Sequence, residues 1–268
     1  MSKINHCFTT LRQKARTALI PFITAGDPEP EMTVPLMHAL VKGGADIIEL
    51  GIPFSDPMAD GPVIQRASER ALVHGTSLRD VIAMVADFRK DNSETPVVLM
   101  GYLNPVEVMG YLPFADTSAN AGVDGVLIVD LPPEEAGSLR VSLNQKDLDQ
   151  IFLIAPNTSE ERLDMICNLA RGFLYYVSLK GITGSDRLDV DSVKEKLQRI
   201  RTRTDLPLGV GFGIKDARTA AQLGKISDAV IIGSALVERI SAFNGKTDEL
   251  PGVITIFLSS IRHALDAV

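Results

Sequence analysis

Glu49 is the residue whose position in this sequence is hardest to explain by packing. It interrupts the apolar run Ile47-Ile-Glu-Leu50, which is typical of a strand buried on both faces of a parallel sheet. A carboxylate taken out of water loses roughly several kcal/mol of hydration unless it is paired or protonated. We therefore expect a raised pKa, which would let Glu49 give and take protons near neutral pH. The alternative is an ion-paired strand residue.

A second carboxyl group, Asp60, ends the Pro-, Asp- and Gly-rich loop that follows this run. Two carboxyl groups held by different elements around one pocket can take different proton roles, because their surroundings set their pKa values separately. The simpler interpretation is that Asp56 and Asp60 are solvated loop residues.

Two glycine stretches late in the chain point to a phosphate site. They are Gly211-Phe-Gly-Ile214 and Gly233-Ser-Ala235, and the second precedes a short helical pattern. Glycine lets backbone N–H groups approach an anion closely, and a helix N-terminus attracts negative charge. The other interpretation is that these glycines only make tight turns.

The elements that must position these groups are eight short apolar runs separated by helical patterns. Alternation of this kind predicts a parallel sheet with crossover helices, and about eight units in 268 residues favour a closed (β/α)₈ TIM barrel over 1–268. An extra N-terminal helix precedes the first strand, and a short phosphate-site helix follows strand eight. An open, doubly wound sheet is the alternative. The predicted strands are 18–23, 47–50, 97–100, 125–129, 151–154, 173–177, 208–210 and 229–232.

Two helix starts can be assigned from capping residues. Ser77 with Asp80 predicts an N-cap and an acidic third position for a helix whose apolar face includes Val81. Thr158 with Glu161 predicts a capping box for a later helix.

The active site of such a barrel lies at the carboxyl ends of the strands. Glu49, Tyr102, Asp130 and one of the pair Tyr175 and Tyr176 are expected there. The loop 179–187 is polar, long and punctuated by glycine, which is typical of a lid, although most such loops are plain surface connections. The expected apolar lining, suited to a flat substrate part, is Phe22, Ile64, Met100, Leu127, Val129, Leu153, Phe212 and Ile232.

Composition limits the class of partner. The net charge is -7 and the pI is about 5.2, which argues against nucleic acid or an anionic membrane as the main partner. Cys7 and Cys167 lie in no metal-binding or disulfide pattern, so no metal is expected. The N-terminus has no signal-peptide pattern, and no apolar run approaches the length of a membrane span. We expect a cytoplasmic protein.

The run Glu49-Leu-Gly-Ile-Pro-Phe-Ser-Asp-Pro-Met-Ala-Asp-Gly-Pro62 closely resembles a motif of the tryptophan synthase alpha subunit family. The resemblance extends to Pro21-Phe-Ile-Thr-Ala-Gly-Asp-Pro28, Gly181-Ile-Thr-Gly184 and both late glycine stretches, in order along the whole chain. Met58 and Ile182 replace a Leu and a Val of the family pattern, and both are apolar exchanges of similar size.

The resemblance implies a lyase that splits indole-3-glycerol phosphate by a retro-aldol reaction into indole and glyceraldehyde 3-phosphate. Glu49 would protonate indole C3, and Asp60 would stabilise the charge on the indole nitrogen. Thr183 would close over Asp60. The other implied contacts to substrate are from Phe22, Ile64, Met100, Tyr102, Leu127, Tyr175 and Phe212, and those to phosphate are from Gly184, Gly213, Gly233 and Ser234.

The resemblance also implies a partner, the pyridoxal-phosphate beta subunit, in an α2β2 tetramer. The beta subunit would condense the indole with serine, and the chain itself would carry no cofactor. The loop 53–60, with Pro53 and Asp56, would face the partner next to Asn104, and it could couple the two sites.

Three other readings of the same residues stay open. A sugar-phosphate isomerase or epimerase would share the glycine stretches and a carboxylate base, but it would not explain the apolar lining. A Schiff-base aldolase would need a lysine on a strand, whereas Lys180 lies in a loop. A non-catalytic barrel that activates a partner would have no reason to bury a carboxyl group.

Overall fold

The computed structural model describes residues 2–177, 189–211 and 213–268. Eight parallel strands pair in sequence order, and the last pairs with the first, so the sheet closes into a barrel. The predicted (β/α)₈ barrel is therefore confirmed, and the open sheet is wrong. The strands are β1 (Ala18–Thr24), β2 (Ile48–Gly51), β3 (Val97–Gly101), β4 (Gly125–Ile128), β5 (Asp149–Ile154), β6 (Leu174–Val177), β7 (Leu208–Gly211) and β8 (Ala229–Ile232).

Helices surround the strands, and the expected N-terminal helix and short helix after strand eight are both present. Within the described ranges no helix is long and apolar enough to cross a membrane. The helices are α1 (Lys3–Gln13), α2 (Thr33–Lys42), α3 (Pro62–Val73), α4 (Leu78–Phe88), α5 (Leu103–Met109), α6 (Tyr111–Ala121), α7 (Gly137–Asn144), α8 (Glu160–Leu169), α9 (Val190–Arg201), α10 (Ala217–Gly224), α11 (Ser234–Ala242) and α12 (Leu250–Asp266).

Each strand sends alternate side chains to two separate apolar layers. Ile47 belongs to a cluster that fills the barrel, whereas Ile48 and Leu50 belong to the layer between strands and helices. Successive side chains of a strand point to opposite faces, so Glu49 must share the inward face with Ile47. The carboxyl group is thus directed into the barrel by strand geometry.

Helix α1 closes the amino-terminal end of the barrel. Its Ile4, Phe8 and Leu11 are buried in the same cluster as the inward side chains of the strands. The Phe8 ring lies 5.8 Å from that of Phe173, which directly precedes β6. This helix supplies the apolar floor of the barrel, which leaves the opposite end free for a cavity.

Three aspartates that precede even-numbered strands tie the barrel together at this end. Each carboxylate accepts the backbone N–H of a residue in the preceding odd-numbered strand, and each also pairs with arginine. A carboxylate satisfied in this way links two strands and a helix. The bonds are Leu19 N to Asp46 at 2.8 Å, Val97 N to Asp124 at 2.8 Å and Leu208 N to Asp228 at 2.7 Å.

Of the two assigned helix starts, one is confirmed and the other is wrong. Ser77 and Asp80 form the expected reciprocal capping box of α4. Helix α8 begins one residue later than predicted, because Ser159 is its N-cap and accepts from Arg162 N at 3.3 Å. The hydroxyl of Thr158 instead accepts from Ala155 N at 3.0 Å, in the preceding turn.

Because α1 packs its apolar face against the amino-terminal end of the barrel, we predict that Phe8→Ala destabilises the protein. Truncating a buried phenylalanine costs about 3–5 kcal/mol, because apolar contact is lost and a cavity remains. Val73→Ala is the control, since Val73 is 84% exposed and its truncation should change stability by less than about 0.5 kcal/mol. Urea unfolding measures both, and equal effects of the two substitutions would refute the role of α1.

Candidate active site

A cavity of about 1220 Å³ opens at the carboxyl ends of the strands. It is larger than most small-molecule pockets, which measure about 300–1,000 Å³. Its inner part collects predicted residues from five strands (β1, β2, β3, β5 and β6) and from the segments that follow β2, β4, β7 and β8. These are Phe22, Glu49, Asp60, Met100, Val129, Leu153, Tyr175, Gly213, Gly233 and Ser234.

Glu49 lies at the base of this inner part and is 1% exposed. Within the described ranges, neither carboxyl oxygen has a hydrogen-bond partner and no salt bridge reaches the group, so the ion-paired reading finds no support there. Burial, together with the charge of Asp60, raises the pKa of Glu49 to about 8. Glu49 is therefore mostly protonated at neutral pH and can donate a proton into the cavity.

Asp60 is partly buried and is held by three contacts rather than solvated. The Tyr102 hydroxyl donates to its Oδ2 at 3.0 Å. Its backbone N–H donates to Pro57 O at 3.0 Å, and Gln65 Nε2 donates to its carbonyl at 2.8 Å. Burial raises the pKa of Asp60, and the Tyr102 hydrogen bond opposes that rise. The two carboxyl groups thus have different surroundings.

Tyr175 is the member of the tyrosine pair that faces the cavity. Tyr176, its neighbour on β6, belongs to the outer layer. Burial, Glu49 and Asp60 raise the pKa of Tyr175 well above its ordinary value, so the phenol stays protonated. Gly211 makes room for the ring, since a Cβ there would lie 2.6 Å from Tyr175 Cζ. The hydroxyl can therefore act as a donor beside the carboxyl groups but not as a base.

Gly213 and Gly233, one from each late glycine stretch, both line the cavity, after β7 and β8 respectively. Gly233 precedes α11 and gives it no side-chain cap, so the first N–H groups of the helix have no capping side chain. Ser234 and Gly213 line the cavity beside them, and Gly213 has a φ of +78° that favours glycine. This helix end offers N–H groups and a hydroxyl to an anion.

The apolar lining differs in part from the predicted set. Phe22, Ile64 and Met100 form a small cluster at the cavity wall. Ile232 was expected at the wall, but it lies in the outer layer, and Ile231 lines the cavity instead. Leu127 faces inward on β4, yet it is fully buried one layer deeper than Val129 and does not line the cavity.

Other predicted residues lie outside the cavity wall or outside the described residues. Tyr102 does not line the cavity; it lies behind Asp60 as its hydrogen-bond donor. Pro53 is buried within this chain, whereas Asp56 and Asn104 are exposed as a partner-facing surface requires. Thr183, Gly184, Phe212 and the expected lid lie outside the described residues.

Sequence reasoning missed the groups that hold Asp60 and the outer part of the cavity. Gln65 is an ordinary polar residue of an amphipathic helix in the sequence, and nothing marks it as a contact of the loop. The outer cavity lies between the loop after β4 and α8, where Arg162 Nε pairs with Glu134 Oε1 at 2.9 Å. These contacts join residues 28 or more positions apart or depend on a loop conformation, so local patterns do not reveal them.

Among the described residues, no group of three or more His, Cys, Asp or Glu side chains has the arrangement of a metal site. The inner cavity instead combines one carboxyl group with a raised pKa, one hydrogen-bonded carboxyl group, an apolar wall and a helix N-terminus without a side-chain cap. That set suits acid–base chemistry on a substrate with a flat apolar part and a phosphate.

Comparison with known proteins agrees with this arrangement. The sequence profile of the tryptophan synthase alpha chain family matches residues 8–258. The chain belongs to this family. The tryptophan synthase alpha chain of Nitrosococcus oceani is 57% identical over 267 residues, covering 100% of this chain and 98% of the relative. That of Methylococcus capsulatus is 58% identical over 267 residues, covering 100% of both chains.

Solved structures of the family have the same fold. Tryptophan synthase subunit alpha from Legionella pneumophila superposes with a TM-score of 0.93 at 47% identity, and each chain is covered completely. A chain of tryptophan synthase from M. tuberculosis in its aminoacrylate-bound form gives a TM-score of 0.88 at 35% identity, covering 99% of this chain and 100% of that one. The family resemblance found in the sequence is thus confirmed over the full length.

The close approach of Gly211 to Tyr175 predicts that Gly211→Ala disturbs the site. The added methyl group overlaps the ring, so we expect a displaced Tyr175 and a loss of about 1–3 kcal/mol of stability. Gly137→Ala is the matched control, because no atom of the described residues lies within 4 Å of a Cβ at that helical position. Urea unfolding and a crystal structure of each variant are the measurements, and an unmoved Tyr175 with unchanged stability would contradict this packing.

Proposed function

We propose that the chain is a lyase that cleaves indole-3-glycerol phosphate by a retro-aldol reaction into indole and glyceraldehyde 3-phosphate, the alpha reaction of tryptophan biosynthesis. Membership of the tryptophan synthase alpha chain family supports this function. The observation that carries it is Glu49, a carboxyl group that is buried without a partner among the described residues and has a raised pKa in the cavity.

Glu49 acts first as the acid. The bond between indole C3 and the adjacent hydroxyl-bearing carbon breaks only when its electrons have a place to go, and protonation of C3 provides one. The protonated Glu49 supplies this proton. The hydroxyl on the departing carbon then loses its proton as the aldehyde forms, and the newly ionised Glu49 is placed to accept it. The cycle leaves Glu49 protonated again, so protons balance.

Asp60 stabilises the intermediate charge. Protonation of C3 places positive charge on the indole nitrogen, and a carboxylate beside that N–H lowers the energy of the cationic state. The two carboxyl groups therefore need opposite protonation states at the same pH. Glu49 meets this need through full burial, and Asp60 through partial burial and the donor Tyr102.

The remaining cavity groups bind the two ends of the substrate. The apolar wall with Phe22, Ile64 and Met100 suits the indole ring. The uncapped N-terminus of α11, with Gly213 and Ser234, suits the phosphate. Tyr175 donates a hydrogen bond near the reacting carbon atoms. Gly184 and Thr183 are further expected contacts by family resemblance.

We also infer a partner, the pyridoxal-phosphate beta subunit that takes up indole, in an α2β2 assembly. Asp56 and Asn104 are exposed, and the large apolar side chains Met58 and Val108 on the same loop and helix are each 82% exposed. Apolar side chains left in water next to polar ones are typical of protein–protein interfaces. The chain itself supplies no cofactor to the reaction, and a cytoplasmic location stays a prediction.

The direct test is release of indole from indole-3-glycerol phosphate by the purified chain, with and without added beta subunit. We expect slow release by the chain alone and faster release with the partner. A sugar-phosphate isomerase, or a barrel that only activates a partner, would release no indole in either condition. If the chain releases indole at a rate that the beta subunit does not change, the proposed partner is rejected and the proposed lyase activity is retained.

The two carboxyl roles predict distinct losses of activity. Glu49→Gln should reduce indole release by about 10²–10⁴-fold, because the acid is lost. Asp60→Asn should reduce it by about 10²–10³-fold, because charge stabilisation is lost. Glycerol phosphate should still bind to both variants. Glu134→Gln is the matched control, since that carboxylate lines the outer cavity and pairs with Arg162, so near-normal turnover is expected.

Measurements of stability show whether Glu49→Gln loses activity because the acid is missing or because the protein is misfolded. The pKa of Glu49 is raised from 4.5 to about 8 in the folded protein, so folding takes up a proton between these values. The free energy of unfolding contributed by Glu49 therefore falls as pH rises through this window. Glu49→Gln removes that dependence, and its melting temperature at pH 8 should equal or exceed that of the unsubstituted protein. Near-normal turnover in Glu49→Gln would falsify the proton role.

A further inference from the structure

Asp60 is carried by a loop and needs an external support. The residues between β2 and α3 form turns and bends rather than a helix or strand, and several of them are exposed. A loop carboxylate can rotate about its side-chain bonds, and each orientation presents a different oxygen atom to a ligand. Charge stabilisation requires one orientation held before the substrate binds.

We propose that Tyr102 is a positioning residue that fixes the orientation of the Asp60 carboxylate and keeps it ionised opposite the protonated Glu49. This inference rests on the proposed function. It differs from the expectation that Tyr102 contacts the substrate, because the hydroxyl lies behind Asp60, outside the cavity lining.

The direction of the hydrogen bond follows from the other contact of the hydroxyl. The backbone N–H of Ala59 donates to Tyr102 Oη at 3.0 Å, so this oxygen already acts as an acceptor. A phenol has one hydrogen, and that hydrogen points to Asp60 Oδ2 at 3.0 Å. A donor aimed at a carboxylate favours its ionised form over its protonated form.

Tyr102 is rigid enough for this task. It is 3% exposed, and it lies at the N-cap position of α5 directly after β3. Its ring stacks on Phe54, with ring centroids 5.2 Å apart and an interplanar angle of 24°. Phe54 belongs to the same loop as Asp60, so the stacking and the two hydrogen bonds hold the loop against the barrel at both of its ends.

Among the described residues, Tyr102 is the side chain whose hydrogen bond favours the ionised form of Asp60. Glu49 faces Asp60 from β2, Tyr175 faces it from β6, and Asp130 faces Tyr102 from the end of β4. None of these groups can supply positive charge. Burial raises the pKa of Asp60, and the hydrogen bond from Tyr102 opposes that rise. Removing the hydroxyl should therefore raise the pKa of Asp60 further.

The test compares Tyr102→Phe with the unsubstituted protein. The variant keeps the ring and its stacking on Phe54 but lacks the donor. Carboxyl ¹³C NMR titration of the chain without substrate, with Asp60 assigned by the spectrum of Asp60→Asn, should show its pKa higher by about one unit or more. For indole release we expect a kcat about tenfold lower and a KM nearly unchanged. The acid limb of the pH–rate profile should move to higher pH by as much as the pKa of Asp60 rises.

Two further variants separate positioning from a general structural role. Gln65→Leu removes the donor to the Asp60 carbonyl rather than to its carboxylate, so it should leave the pKa of Asp60 in place even if turnover falls. Incorporation of 3-fluorotyrosine at position 102 gives a more acidic phenol and a stronger donor. This substitution should lower the pKa of Asp60. Because it keeps the phenol hydroxyl, it tests the role of Tyr102 even if Tyr102→Phe fails to fold.

The possible results distinguish this inference from the proposed function. An Asp60 titration that neither Tyr102→Phe nor fluorotyrosine moves, in a protein that releases indole, overturns the positioning role alone. Absence of indole release from the unsubstituted protein overturns the proposed function, and the NMR titration still decides whether Tyr102 controls the ionisation of Asp60.

Discussion

The carboxyl group of Glu49 occupies a place where a packed barrel would otherwise hold an aliphatic side chain. Its inward direction is imposed by the alternation of β2, and the closed barrel prevents the strand from turning it out to water. The group responds by holding its proton, since a neutral carboxyl costs far less to bury than a carboxylate. A burial that is unfavourable for stability thus produces the acid that the proposed chemistry needs.

The opposite end of the barrel has features that compensate for such a cost. Helix α1 fills the floor with Ile4, Phe8 and Leu11. The three aspartates that precede β2, β4 and β8 have both backbone and arginine partners, whereas Glu49 has none among the described residues. Buried carboxylates are tolerated when they are fully hydrogen-bonded. The stabilising contacts of these three aspartates therefore lie at one end of the barrel and the Glu49 carboxyl group lies at the cavity end, and this separation of stability from reactivity is typical of such barrels.

Features that depend on neighbouring residues in the chain could be predicted from the sequence, whereas features that depend on distant residues could not. The strands were predictable because a strand buried on both faces has a continuous apolar run, and Glu49 stood out against such a run. Ile232 was misplaced because the choice of inward face depends on how β8 meets β1 and β7, which no local pattern records. The start of α8 was missed by one residue because Thr158 and Ser159 are both good caps. Tyr102 was placed at the right end of the barrel, but its contact with Asp60 joins residues 42 positions apart.

The support of Asp60 also connects the site to the exposed surface. Tyr102 directly precedes α5, which carries the exposed Asn104, and Asp56 lies on the same loop as Asp60. A partner bound to this surface would contact the two elements whose relative position sets the hydrogen bond between Tyr102 and Asp60. A ligand changes an equilibrium only through contacts that differ between two states. The Tyr102–Asp60 contact is a place where such a difference would reach the reacting groups without any movement of the rigid strand that holds Glu49. In the proposed function, the charge stabiliser is thus carried by a loop that a partner could contact, and the acid is carried by a fixed strand.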